Sequence, residues 1–238
     1  MFDNFPALTN TPQRVLSRIL SSCGYKKEEI MVQDLIKKIH WLGHDGFRID
    51  SDKVIYFDPY QIKTAVPADI IFISHEHFDH CSEDDIRKIQ QKDTVIVTDA
   101  VTAKKLKGNV KVVKPGDKLT VDTIAVEVLP SYNTDKNFHP KSSGMLAFIV
   151  TVEGVRIYHA GDTDFIPEMN TIKTDIALLP VSGTYVMTAA EAVQAALAIK
   201  PQVAIPMHYN AIVGSEKDAQ LFAEKLHGKV EVVILKQE

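Results

Sequence analysis

The chain has 238 residues, 45% of them hydrophobic and 24% charged, a balance that suits a folded chain with a sizeable core and excludes disordered, fibrous and collagenous classes. Its 27 basic and 31 acidic residues give a formal net charge of −4, which argues against a nucleic-acid partner held on a diffuse basic face. Cys23 and Cys81 are too few for a disulfide framework, no run approaches the ~18 consecutive apolar residues of a membrane span, and the start MFDNFPALTN lacks signal-peptide character, so a cytoplasmic chain is expected.

Residues 1–34 are expected to form a helical extension: Val15, Leu16, Ile19 and Leu20 recur at helical spacing after Thr11-Pro12, Gly24 interrupts, and a second short helix runs from Lys27 to about Gln33. From Lys38 the pattern shortens to β-rich runs at 38–42, 46–50, 53–58 and 69–74, broken by Gly46, Asp52 and Pro59. Helices are expected at Ser82–Gln91 and Asp99–Lys107, with strands at 94–98, 109–113, 123–129, 145–152, 155–160 and 175–180. Thr188 and Glu191 form a capping box that starts a helix to Lys200, a strand follows at 203–207, and a helix from Ser215 to His227 ends against Gly228 before a last strand at 230–236. Residues 35–238 therefore read as one α/β (α+β) domain, with sheets packed face to face and helices outside.

The chemistry concentrates in Ile73-Ser-His75-Glu76-His77-Phe78-Asp79-His80, directly after the apolar run 70–73. Imidazole and carboxylate are the donors that borderline cations such as zinc prefer, and four of them crowd the end of one strand. In an extended segment His75, His77 and Asp79 would share a face; a turn after Phe78 would send Asp79 and His80 toward a second cation. Two cations need about four donors each, so more must come from elsewhere in the chain.

The later motifs are Phe138-His139-Pro140, His159-Ala160-Gly161-Asp162-Thr163 and Met207-His208-Tyr209-Asn210. In order, spacing and strand context, the whole series resembles the metallo-β-lactamase superfamily of dinuclear hydrolases, from about Lys38 onward. The resemblance implies a four-layer αβ/βα sandwich. It also implies that His75, His77 and His139 hold one cation, that Asp79, His80 and His208 hold the other, and that Asp162 bridges them. Asn133 is the alternative occupant of the His139 corner. His159 is expected to be a core or supporting histidine, Glu76 to face away from the cations, and Cys81 to be a small buried residue.

Ile39-His-Trp41-Leu-Gly43-His44, Tyr56-Phe57-Asp58-Pro59 and Pro180-Val-Ser-Gly183-Thr184-Tyr185 resemble a branch related to L-ascorbate-6-phosphate lactonase and, more distantly, to N-acyl-phosphatidylethanolamine phospholipase D enzymes. That likeness marks His44, Tyr185 and Asn210 as candidate substrate contacts. The expected activity is hydrolysis of a small ester, lactone or phosphodiester by a hydroxide bridging two divalent ions, zinc foremost and manganese or iron as alternatives. Asp79, His80 and Asp162 are the expected catalytic residues. An iron-dependent oxidoreductase or a non-catalytic metal-binding protein on the same scaffold is the alternative reading, and a homo-oligomer stays open.

Overall fold

The computed structural model describes residues 29–238, so the expected helix around residues 11–20 lies outside the described residues. Short runs rich in β-branched and aromatic residues, most of them buried on both faces, build thirteen strands in two sheets among the described residues. The first sheet runs β1 (Ile39–Gly43), β2 (Gly46–Asp50), β3 (Val54–Phe57), β4 (Ala68–Phe72), β5 (Gln90–Thr98), β6 (Asn109–Val112), in that spatial order. The second is ordered β13-β12-β11-β10-β9-β8-β7, comprising β7 (Lys118–Val121), β8 (Ile124–Pro130), β9 (Leu146–Val152), β10 (Val155–His159), β11 (Ile176–Pro180), β12 (Val203–Met207) and β13 (Glu231–Val232).

The inner faces meet in one core, where Phe47, Ile49, Phe57 and Phe72 of the first sheet join Val126, Val128, Phe148 and Ile157 of the second. The Phe72 and Phe148 rings cross the gap 5.1 Å apart. The outer face of the first sheet, Tyr56, Ile71 and Ile96, packs with Ile86 and Ile89 of helix α2 (Glu83–Ile89). On the other side α3 (Ala189–Ile199) lies against β11 and α4 (Glu216–Leu226) against β12. The four layers follow from strands that are apolar on both faces.

A helix α1 over residues 29–36 places Val32, Leu35 and Ile36 in this core, so the expected boundary between residues 34 and 35 falls inside a continuous helix. The expected capping box holds: Thr188 Oγ1 accepts from the Glu191 amide at 3.2 Å, and Glu191 accepts from the Thr188 amide at 2.7 Å. Gly228 follows α4 with φ +73°, a conformation that favours glycine.

Three expectations are corrected. Asp99–Lys107 is not an α-helix but a 3-10 turn at Thr102–Lys105: the Asp99 carboxylate accepts from the amides of Val101 (2.6 Å) and Thr102 (3.1 Å) as a helix cap does, but the segment closes after one turn, where Leu106 N donates to Ala103 O at 3.2 Å. The last strand shrinks to β13, because the chain beyond Val233 crosses to the first sheet, where Glu238 N donates to Trp41 O at 3.0 Å and the Glu238 carboxylate accepts from Arg48 Nη1 at 2.9 Å. Strand β7 was not expected; it is a short, mostly exposed edge strand carrying Lys118, which hides its pairing. Among the described residues no helix is long and apolar enough to cross a membrane.

Candidate metal centre

Strands β1, β3 and β4 of the first sheet and β8, β10, β11 and β12 of the second all run toward one edge of the sandwich, and the site is made of the loops that leave there. Beyond β4 the buried Ile73 and Ser74 lead to His75. A turn then closes on the His77 carbonyl, which accepts from the amides of His80 (3.0 Å) and Cys81 (2.8 Å). It divides the four donors into two sets, as a fully extended run could not.

The first set brings His75 Nε2 within 2.9 Å of His77 Nδ1, with the His139 ring 5.3 and 5.2 Å from those two rings. Their donor atoms all lie within 4.8 Å of one another. In the second set His80 Nε2 and His208 Nε2 each stand 3.3 Å from Asp162 Oδ1. The other Asp162 oxygen, Oδ2, stands 3.2 Å from His139 Nε2, so one carboxylate spans both sets. Gly161 permits this placement: its φ is +60°, and a Cβ there would come within 2.8 Å of the Leu146 carbonyl. Asn133 does not take the His139 corner; its Oδ1 accepts from the His139 amide at 2.9 Å and steadies the loop.

The rings of His75, His80, His139 and His208 are each turned by the second nitrogen, which leaves the first aimed inward. Asp58 Oδ2 accepts from His80 Nδ1 at 2.8 Å, and Ser74 donates to the same carboxylate through its amide (2.7 Å) and hydroxyl (2.6 Å). The Ser74 hydroxyl also lies 2.9 Å from His75 Nδ1. Ser182 Oγ stands 2.7 Å from His208 Nδ1, and Tyr185 O stands 3.3 Å from His139 Nδ1. His44, Asp58 and His208 all hold φ between 38° and 60°, a left-handed conformation that costs non-glycine residues and clusters at functional sites.

His80 Nε2, His208 Nε2 and Asp162 Oδ1 are buried and make no hydrogen bond. Three convergent orphans, each costing about 1–3 kcal/mol, fit a divalent cation better than any packing role. The electrostatics agree. Burial raises the Asp162 carboxyl, but the charges of His208 and His80 outweigh it and hold the group well below the usual carboxylate range. Burial lowers both imidazoles, yet Asp162 carries His80 well above its ordinary value and His208 up to about 9. The protein thus demands positive charge at this spot, whether from protons or cations. Burial keeps His75 and His139 below their ordinary value, as the neutral form a ligand needs.

Asp79 stands beside the second set, its Oδ2 3.0 Å from His44 Nε2 and 3.8 Å from His80 Nε2. Burial pushes it up, but the His44 hydrogen bond and the His80 charge prevail and hold it below its ordinary value. Of the three expected substrate contacts, Tyr185 alone lines the cavity over the histidines. His44 is buried beneath, its ring 4.1 Å from that of His208. Asn210 lies outside, with Nδ2 3.4 Å from Glu216. His159 is a core residue stacked on Phe57 at 4.9 Å, Glu76 pairs with Lys105 at 3.1 Å, and burial pushes the Cys81 thiol up to about 12.

Sequence reasoning missed Asp45 and Asp58. Asp45 sits in the tight turn between β1 and β2, wholly buried, with both carboxylate oxygens free of hydrogen bonds and within 4.8 Å of donors on His80, Asp162 and His208. Its position next to His44 at a strand end was the available signal, but a turn aspartate is usually only a turn residue.

Residues 38–208 match the family model of the beta-lactamase superfamily domain. The UPF0173 metal-dependent hydrolase of Archaeoglobus fulgidus is 34% identical over 223 residues, which covers 84% of this chain and 96% of that protein. A solved candidate metal-dependent hydrolase of Parabacteroides distasonis is similar at TM-score 0.74 and 32% identity, covering 84% of this chain and 93% of that one. The metallo hydrolase Igni18 of Ignicoccus hospitalis shares the fold at TM-score 0.70 and 23% identity, covering 83% and 94%.

Proposed function

This chain belongs to the beta-lactamase superfamily and is a metal-dependent hydrolase; from that premise we propose that it uses two divalent cations, zinc foremost, to cleave a small ester, lactone or phosphodiester. The observation that carries the dinuclear reading is Asp162, whose two oxygens address two separate histidine sets. His75, His77 and His139 would hold one cation; His80, His208 and Asp79 would hold the other. When bound, such ions acidify water toward neutral pH and polarise the scissile bond.

The chain's own residues supply the rest. Asp79 is anionic, faces the cavity and is anchored by His44, so it orients the attacking water and accepts its proton. Asp58 and Ser182 fix the rings of His80 and His208, which keeps the donor geometry constant through turnover. Asn133 Nδ2 donates to Tyr185 O at 2.8 Å and so ties together the two loops that bring Phe138 and Tyr185 to the cavity wall.

Metal analysis of protein purified without added metal, with a hydrolysis screen over lactones, acyl esters and phosphodiesters, tests this reading. Two zinc or manganese ions per chain, and turnover lost by orders of magnitude in folded His80→Ala, are expected. Iron with a visible absorption band and no hydrolysis would overturn it, as would undiminished turnover in a folded, metal-poor variant.

A further inference from the structure

A cavity of about 540 Å³ opens directly over the two histidine sets, with His77, Asp79, His139 and Asp162 in its floor. Its walls come from four different loops. Phe78 belongs to the β4–α2 loop, Phe138 to β8–β9, Tyr185 to β11–α3 and Ile212 to β12–α4. Phe78 and Phe138 are 67% and 51% exposed, and they are the two exposed phenylalanines among the described residues. Phe138 meets Tyr185 edge-on at 4.7 Å, and Phe78 meets Tyr60 edge-on at 6.0 Å. Single exposed apolar side chains are ordinary, but four loops delivering them to one cavity around the metal donors make a binding wall.

The charges on this wall decide what it accepts. Among the described residues Lys105 is the one cationic side chain lining the cavity, and its ammonium is already engaged by the Glu76 carboxylate at 3.1 Å and the Glu76 carbonyl at 2.8 Å. No arginine among the described residues lines the cavity. A phosphate carried on the arm of the substrate, away from the metal donors, would need Arg, Lys or a helix N-terminus to meet it, and among the described residues this wall offers only a Lys105 already paired with Glu76.

We propose that the substrate is a neutral carboxylic ester or lactone bearing an apolar alkyl or aryl arm, which lies against Phe78, Phe138, Tyr185 and Ile212, and that substrates carrying a phosphate on that arm are rejected. The inference rests on the hydrolase reading above. The water oxygen bonds to the carbonyl carbon, the acyl carbon–oxygen bond breaks, and the departing oxygen takes a proton, giving a carboxylic acid and an alcohol with no redox partner.

The test uses the purified holoenzyme and γ-lactones whose side chain lengthens from methyl to hexyl, with a phosphorylated sugar lactone beside them. Each buried methylene, worth about 0.8 kcal/mol, is expected to raise kcat/KM roughly fourfold until the chain outgrows the cavity. The phosphorylated lactone should be at least about a hundredfold poorer than the hexyl compound, and Phe138→Ala should flatten the dependence at undiminished metal content. A flat or inverted profile, or preference for the phosphorylated lactone, would overturn the proposal. So would a flat profile together with a dimer that Phe138→Ser dissociates, which would assign the wall to a second copy. Binding of 2-alkylcyclopentanones, followed by calorimetry, separates the two readings: chain-length-dependent binding without turnover of any lactone supports the apolar wall and sinks the hydrolase reading alone.

Discussion

Asp58 and His80 meet at 2.8 Å with both side chains buried, and this contact fixes which nitrogen of His80 faces Asp162. The carboxylate is itself held by the Ser74 amide and hydroxyl, so a residue that touches no cation orients the second donor set. Asp58→Ala should therefore weaken cation binding about 10–100-fold, read by competition with a chelating dye. Wild-type affinity in the folded variant would show that His80 needs no such partner.

Removing the cations should cost stability, because they bind the folded chain alone. At a free concentration about 1,000 times Kd the linkage is worth about 4 kcal/mol, which for a chain of this size lowers Tm by roughly 10 °C on chelation. Calorimetric melts before and after chelation, with zinc returned as the control, check this. An unchanged melt after complete metal removal contradicts it.

Away from the site, Asp85 ties α2 to the loop between β3 and β4. Its carboxylate accepts from the amides of Gln61 (2.8 Å) and Ile62 (3.1 Å), the Ser82 hydroxyl (2.7 Å) and Lys88 (2.7 Å). Burial pushes the group up, but these donors outweigh it and hold it below the ordinary value of 3.8. A depressed carboxyl contributes stability above its unfolded pKa and loses it as pH falls through the folded one. Asp85→Asn should accordingly cost roughly 1–3 kcal/mol at pH 7 and progressively less as the pH drops below about 4. Urea melts at several pH values check the sign; a cost that stays constant into acid would refute the charge-based account.

Much of this site is written in the sequence because its chemistry is local. His75, His77, Asp79 and His80 crowd one strand end, and their residue types suffice to mark a metal centre. Asp162, His139 and His208 were legible through the pattern they share with the superfamily, and the structure brings them onto the same two sets. Asp45 and Asp58 were not, since what makes each important is total burial beside histidines from distant strands, which no residue type announces. His44 read as a substrate contact for the converse reason: its identity suggested chemistry, whereas the hairpin turn puts it under Asp79. In the fold, the apolar strand runs were evident, and the losses came where the chain after Asp99 closes as a single 3-10 turn and at the exposed edge strand β7.

The role of Asp162 as the carboxylate that joins two cation sites can be read from a zinc titration of metal-free protein, wild type beside Asp162→Asn. Two equivalents should bind per chain in the wild type and at most one tight equivalent in the variant, with turnover reduced by orders of magnitude. A single equivalent in the wild type, or two tight equivalents with full activity in Asp162→Asn, would contradict it.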